Sequence, residues 1–159
     1  MTRTHARAPL GERAYGTEPF HHGCNISVIS ALGLEGVCAP MRIEGAVNSE
    51  VFELYVQHLL VPCLRPGHLV GLDNVKFHSA PKALELLEAA GARVLYLPAY
   101  SPDFNPIEGC ISKIKTTLRS CKARTKRKLT NALGKALALI TQEDIHGWFE
   151  HSGYVFSFN

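Results

Sequence analysis

The chain has no apolar run approaching the roughly 18 residues a helix needs to cross a bilayer, so no membrane span is expected. Its opening residues are polar and basic, without the apolar core of a secretory signal. A cytoplasmic location is therefore the expectation. No two of the five cysteines stand in a C-x-x-C pair, and their number is odd. Cys24, Cys38, Cys63, Cys110 and Cys121 read as free thiols in a reducing compartment, neither a disulfide framework nor a zinc site. Acids are missing from two stretches. No aspartate precedes Asp73, and no acid of either kind lies between Glu108 and Glu143.

The second gap is filled with positive charge. Nine of the 17 Lys and Arg residues fall between Lys113 and Lys135, although the net charge of the whole chain is only +3. A one-sign block of this kind needs a well-solvated face or a polyanionic partner. Because it begins one helical turn after an acid of interest, Glu108, nucleic acid is the partner favoured.

With 159 residues, 46% of them hydrophobic, the chain is long and apolar enough to bury one domain core. Residues 1–23 are basic and loop-like, with Arg3, His5, Arg7 and Arg13 among five Gly and Pro residues. His21 and His22 have no third ligand at a useful spacing and read as surface histidines. Residues 24–159 carry the regular structure. Asn25 to Leu32 and Val37 to Ile43 read as a hairpin, with Pro40 predicting a bulge or an edge. A helix over Asn48 to Val61, capped by Asn48 and stopped by Pro62, is expected to bury Val51, Leu54, Tyr55, His58 and Leu59. Leu69 to Leu72 reads as a buried strand. Ser79 then caps a helix that runs to Gly91, and Val94 to Leu97 is the next strand, parallel to the one before. Helices follow from Asn105, over Lys126 to Ile140 with Leu129, Leu133, Leu137 and Ile140 inward, and over Glu143 to His151 with Trp148 and Phe149 as anchors. The order describes an α/β domain with a mixed sheet.

Two acids stand at element ends. Asp73 follows the Leu69 strand, and Glu108 lies in the first turn of a helix, with 34 residues between them. Each has an ordinary use. Asp-Asn favours a turn, and an acid at the third helical position completes a capping box with Asn105. Their spacing and their neighbours favour chemistry. Carboxylates converging on one point need cations, and magnesium takes oxygen ligands while leaving room for phosphate. Two such ions suit an in-line phosphoryl displacement.

The residues Leu72-Asp73-Asn74 with His78, the run LPAYSPDFNPIE, and Lys115 carry a specific resemblance. From about Arg3 to Tyr154 the chain is similar to the DDE superfamily endonuclease domain of insertion-sequence transposases in the mariner-like superfamily. That resemblance implies a ribonuclease-H-like α/β fold, an Asp, Asp, Glu triad, and two Mg (or Mn) ions. It also implies cleavage of DNA at transposon ends with joining to a target. Asp73 then corresponds to the second acid and Glu108 to the third, both as catalytic metal ligands. Asn74 and His78 support Asp73 or touch DNA. Lys115 and Arg119 share the polar face with Glu108 and, with Lys113, Lys122 and Arg124, form the expected DNA-binding set. Asp103 is expected to shape its turn. Two departures stand out. Ile111 replaces the Trp usual three residues after the third acid, and the family's first Asp, on a central strand, has no counterpart before Asp73. No amino-terminal helix-turn-helix is evident either. The expectation is therefore one amino-terminally truncated catalytic domain over 1–159, from a decayed copy or a frameshifted element, inactive alone. An upstream transposase fragment or a second copy in a homodimer could complete it. The alternative is a non-catalytic DNA-binding or assembly protein that retains the basic helices.

Overall fold

The computed structural model of the chain describes residues 7–15 and 25–155. Arg3, His5, Glu18, His21, His22 and Cys24 lie outside them. Strands β1 (Ile26–Gly33) and β2 (Gly36–Glu44) pair antiparallel through a two-residue connection. The register opposes Ile29 to Met41 but Ala31 to Cys38, so β2 carries one extra residue there. Ala39 takes up the slack with a left-handed φ of 51°, beside Pro40, which has no N–H to offer the ladder. The bulge expected from Pro40 is present.

Helix α1 (Ser49–Tyr55) is capped by Asn48, whose Oδ1 accepts from the Val51 N–H at 2.9 Å. It continues as a wide π turn over Val56–Leu60 and a tight 3-10 turn over Val61–Cys63, where Pro62 sits. The expected inward stripe was one residue out of phase. Phe52, Tyr55, Val56 and Leu60 are buried, whereas Leu54 and His58 are exposed. Both stripes fit a helical period. The observed one removes more apolar surface from water and leaves the imidazole of His58 hydrated.

Strand β3 (Leu69–Leu72), helix α2 (Pro81–Ala89) and strand β4 (Arg93–Tyr96) form a parallel crossover, with Leu72 opposite Tyr96. Ala80 occupies the α2 cap position, and Ser79 instead donates its hydroxyl to the Lys76 carbonyl at 2.8 Å. Pro81, already suited to the first helical position, makes a side-chain cap less necessary. Gly91 closes α2 at φ +77°, and a Cβ there would meet Pro66 at 3.1 Å. The β3 strand was expected to be buried, but only Leu72 is. Leu69 and Leu95 stand on an open face, since the helix layer covers one side of this short sheet. Phe52, Tyr55, Val56, Leu60, Leu72, Ala80, Ala83 and Leu87 make up the core, and residues of both sheets, including Ile29, Met41, Val70 and Val94, pack on it.

Among the described residues the strands thus form two pairs, β1–β2 and β3–β4, that share one core without a ladder between them. Helices α3 (Ile107–Cys121), α4 (Lys126–Ala138) and α5 (Gln142–His151) complete the chain. In α4 the residues in deepest are Ala132 and Ala136, with the expected leucines half-buried around them. A Lys126–Glu44 ion pair at 2.6 Å ties α4 to the hairpin. None of the described helices is long and apolar enough to cross a membrane.

Candidate active site

Asp73 leaves the carboxyl end of β3 into a turn that its own side chain helps to form. The Val75 N–H donates to Asp73 Oδ1 at 3.2 Å. His78, on the 3-10 turn Lys76–Ser79, brings Nδ1 to 2.6 Å from the same oxygen. The imidazole is largely buried, with its ring centre 4.7 Å from that of Phe52 and 4.6 Å from that of Phe77. Phe52 is a core residue, so the ring that orients Asp73 is itself seated on the core. Tyr96, at the end of β4, donates its hydroxyl to the His78 carbonyl at 3.3 Å. Among the described residues, the hydrogen bonds to the Asp73 carboxylate all fall on Oδ1. They leave Oδ2 open to a ligand, on a side chain that is 44% exposed.

Asn74 has a different task. Its Nδ2 donates to the Leu97 carbonyl at 2.5 Å, while the Leu97 N–H donates to the Leu72 carbonyl at 2.8 Å. The exits of β3 and β4 are therefore bound to each other, and the acid that follows β3 shares a sheet end with the loop leading to Glu108.

That loop is held mainly by backbone bonds, Phe104 N–H to the Ser101 carbonyl at 3.2 Å and Asn105 N–H to the Pro102 carbonyl at 2.9 Å. Asp103 was expected to shape the turn, but its carboxylate makes no hydrogen bond among the described residues; Pro102 and the backbone do this work. Tyr100 is fully exposed with a left-handed φ of 58°, and Phe104 is half out in solvent. The Tyr154 hydroxyl donates to the Phe104 carbonyl at 3.0 Å and tethers the loop from the far end of the chain.

The expected capping box at Glu108 is absent. Helix α3 starts at Ile107 with Pro106 at its cap and no side-chain capping bond; the Asn105 carbonyl merely accepts the Glu108 N–H at 3.1 Å. Proline at the cap leaves Asn105 one position too early for its side chain to reach the helical amides. The Glu108 carboxylate is exposed and spends no hydrogen bond on a described residue. The structural use that competed with a catalytic one is gone at Glu108, whereas Asp73 performs both turn chemistry and the pairing with His78.

On α3, Glu108, Ser112, Lys115 and Arg119 recur at three- and four-residue spacing and share one face. Lys122, which closes the helix in a left-handed conformation at φ 44°, follows on the same side. Lys115, Arg119 and Lys122 form no ion pair with a described residue, and Arg124 is exposed in the link to α4. Lys113 points elsewhere. It is ion-paired with Asp144 of α5 and so has a structural assignment that the charge count did not reveal. The Lys113 bond, then the Thr141 N–H at 2.8 Å, bring the Asp144 carboxyl down to about 2.

Sequence reasoning also missed the support behind Glu108. Gly109 lies against the indole of Trp148, and a Cβ there would fall 2.4 Å from Trp148 Cδ1. Glycine inside a helix is unfavourable unless something approaches closely, so its place directly after Glu108 was the available signal. Next to it in α3, Cys110 is buried and its thiol is pushed up to about 11, chiefly by burial.

Among the described residues no group of three or more His, Cys, Asp or Glu side chains is placed to hold a metal ion. What they do offer is oxygen donors, the open Oδ2 of Asp73 and the unengaged carboxylate of Glu108. Such a donor set suits Mg or Mn and does not suit soft metals.

The DDE superfamily endonuclease family matches residues 1–130. No curated protein matches the chain. Among solved structures, the Mos1 strand transfer complex superposes with a TM-score of 0.75 at 19% identity, over 96% of this chain and 48% of that one. The Mos1 mariner paired end complex with Mn gives 0.70 at 19% identity, over 98% and 52%. The Mos1 transposase paired-end complex with left transposon end gives 0.69 at 17%, over 96% and 49%. The chain thus spans about half the length of these proteins and shares their ribonuclease-H-like α/β fold. Because the family model covers residues 1–130 of the 159, this chain belongs to the DDE endonuclease superfamily.

Proposed function

We propose that the chain is the catalytic domain of a mariner-like transposase, and that Asp73 and Glu108 serve as its second and third metal-binding carboxylates. The observation that carries this reading is the pair of unspent acceptors, Asp73 Oδ2 and the Glu108 carboxylate, each placed after one of two adjacent parallel strands. Two Mg or Mn ions held there would supply the charge compensation for an in-line phosphoryl displacement on DNA. The chain's own residues do the rest. His78 donates to Asp73 Oδ1 and fixes the carboxylate's orientation. Asn74 holds the two strand exits in register. Lys115, Arg119 and Lys122 offer cations to the DNA backbone from the face that carries Glu108, with Arg124 just beyond.

These 159 residues contain no aspartate before Asp73, so by themselves they provide two of the three acids of the family site. We expect them to bind DNA and divalent ions but not to cleave. Manganese titration followed by electron paramagnetic resonance should detect binding that weakens in both Asp73→Ala and Glu108→Ala. Equal binding by all three proteins would refute the shared-ion reading. In a magnesium-dependent plasmid-nicking assay, turnover that disappears in Asp73→Ala would refute the expected inactivity. An upstream strand ending in aspartate, added in the same chain or in trans, should restore acid-dependent cleavage. The alternative, a DNA-binding or assembly protein without chemistry, draws on the acid-free basic run after Glu108. It predicts salt-sensitive binding untouched by Glu108→Ala and no rescue of cleavage.

A further inference from the structure

In the loop between the two acids the chain displays an aromatic ring that the metal-binding arrangement does not use. Tyr100 is fully exposed and holds a left-handed φ of 58°. A bulky side chain seldom adopts that conformation. Glycine or asparagine would make the same turn without the strain, so the turn alone does not account for a tyrosine. Its side chain has no hydrogen-bond or ring partner among the described residues. Phe104, later in the same loop, is half-exposed. The backbone beneath the two rings is fixed. Leu97 is bound to Leu72 and Asn74, and the Ser101 and Pro102 carbonyls accept from the Phe104 and Asn105 N–H groups. The Tyr154 hydroxyl holds the Phe104 carbonyl at 3.0 Å, and its own ring packs against Phe149 with centres 5.8 Å apart. Pro98, Pro102 and Pro106 remove further backbone freedom. The rings are thus offered to solvent on a rigid mount.

We propose that Tyr100 is a stacking platform for an unpaired nucleobase of the DNA strand that the acids act on. This rests on the DNA reading above and adds a base contact to its phosphate contacts. Charge selects the part of DNA that the loop can meet. From Leu97 to Pro106 there is no Lys or Arg, and Asp103 is an exposed acid, so the loop repels phosphate. The cations that suit phosphate, Lys115, Arg119 and Lys122, stand on α3 beyond Glu108. What a cation-free loop can offer a polyanionic strand is the face of its ring, and every base has a π-face to lay on it. Bases inside a duplex are already stacked on their neighbours, so the occupant is a base without a partner, in a single strand or at an opened end. The rigid mount favours the contact, because little loop freedom is lost when the base arrives. Tyr100 takes no part in bond making. It is a positioning residue that holds one nucleotide while phosphates lie along α3.

The test compares binding of the full 159-residue chain to an adenine-bearing single strand and to an abasic strand of equal length. Divalent ions are chelated, so the metal-binding role of Asp73 and Glu108 does not enter. The two strands carry the same phosphates and differ only in bases. The parent chain should bind the base-bearing strand about 5- to 150-fold more tightly, the worth of one base–aromatic stack. Tyr100→Ala should lose that preference and keep its affinity for the abasic strand, whereas Tyr100→Phe should retain it. Arg119→Ala should weaken both strands alike. Tyr100→Asn should also lose the preference while melting no lower than the parent, since asparagine tolerates the backbone conformation. A strand carrying iodouracil should photocrosslink at Tyr100. Equal affinity of the parent for both strands, or a preference that survives Tyr100→Ala, overturns the proposal, assigns the ring to a protein contact and leaves the DNA reading standing. Failure to bind either strand overturns both.

Discussion

The contact between Gly109 and Trp148 yields a prediction whose sign is diagnostic. Replacing a helix-interior glycine with alanine ordinarily stabilises by about 0.8–1 kcal/mol, because alanine loses less backbone entropy on folding. At Gly109 the new methyl would sit 2.4 Å from Trp148 Cδ1 and 2.6 Å from Nε1, so the indole or α3 has to move. Overpacking of this kind costs about 1–3 kcal/mol. The balance is a net loss of up to about 2 kcal/mol, which for a chain of this size lowers Tm by up to roughly 8 °C. Gly134 in α4 supplies the control, since a Cβ there meets nothing within 4 Å and Gly134→Ala should gain the full propensity term. Urea unfolding of both variants, with m-values compared, separates the two cases. In a Trp148→Ala background the penalty at Gly109 should disappear, giving a coupling of about 1–3 kcal/mol in the double-mutant cycle. A Gly109→Ala protein as stable as Gly134→Ala would show that the indole does not press on α3, and the account of how Glu108 is supported would fail with it.

Three further outcomes are expected. The Asp144 carboxyl titrates at about 2 when folded against 3.8 unfolded, so its stabilisation is complete above the unfolded value and is lost as pH falls through about 2. Asp144→Asn should therefore cost about 1 kcal/mol at pH 7, after discounting for solvent around a partly exposed pair, and flatten the unfolding free energy between pH 4 and pH 2, about the two values named above. An unchanged slope in that window would dismiss the Lys113–Asp144 pair as a contributor. His78→Ala should weaken manganese affinity by about 10-fold through the disoriented Asp73, as loss of a ligand's supporting partner commonly does; unaltered affinity would remove His78 from the site. Arg119→Ala should reduce the slope of log affinity for duplex DNA against log salt by about 0.9, whatever the DNA sequence, and a slope equal to that of the parent chain would take this helix face out of the DNA contact.

The parts of the fold that could be read from sequence are those set by local chemistry. Pro40 announced the bulge and Asn48 the helix cap, because each depends on neighbours a few residues away, and the short strand–helix–strand order of Leu69 to Leu97 implied its parallel crossover. The phase of α1 was not legible, since two apolar stripes one residue apart satisfy the same period and only the packed core chooses between them. The cap at Glu108 was misjudged for a related reason. The residues of a capping box were present, but Pro106 shifted the helix start and left the carboxylate unengaged. Lys113 illustrates the limit for charge. It was counted among nine basic residues, and its partner lies 31 positions away on another helix. The family was legible because the motif around the two acids is specific, while the contacts of His78 with Asp73, of Tyr96 with His78 and of Tyr154 with the loop before Glu108 depend on tertiary structure.

The bond from Asn74 to the Leu97 carbonyl has a mechanical consequence. One carboxamide couples the roots of two segments that are covalently far apart, so neither strand exit can drift sideways without dragging the other. The segment that leads to Glu108 therefore starts from a fixed junction at Leu97 and ends on α3, where Gly109 lies against the Trp148 indole. Between those two anchors the loop hangs on a third, the Tyr154 hydroxyl at the Phe104 carbonyl, so a shift at either end is shared by all three.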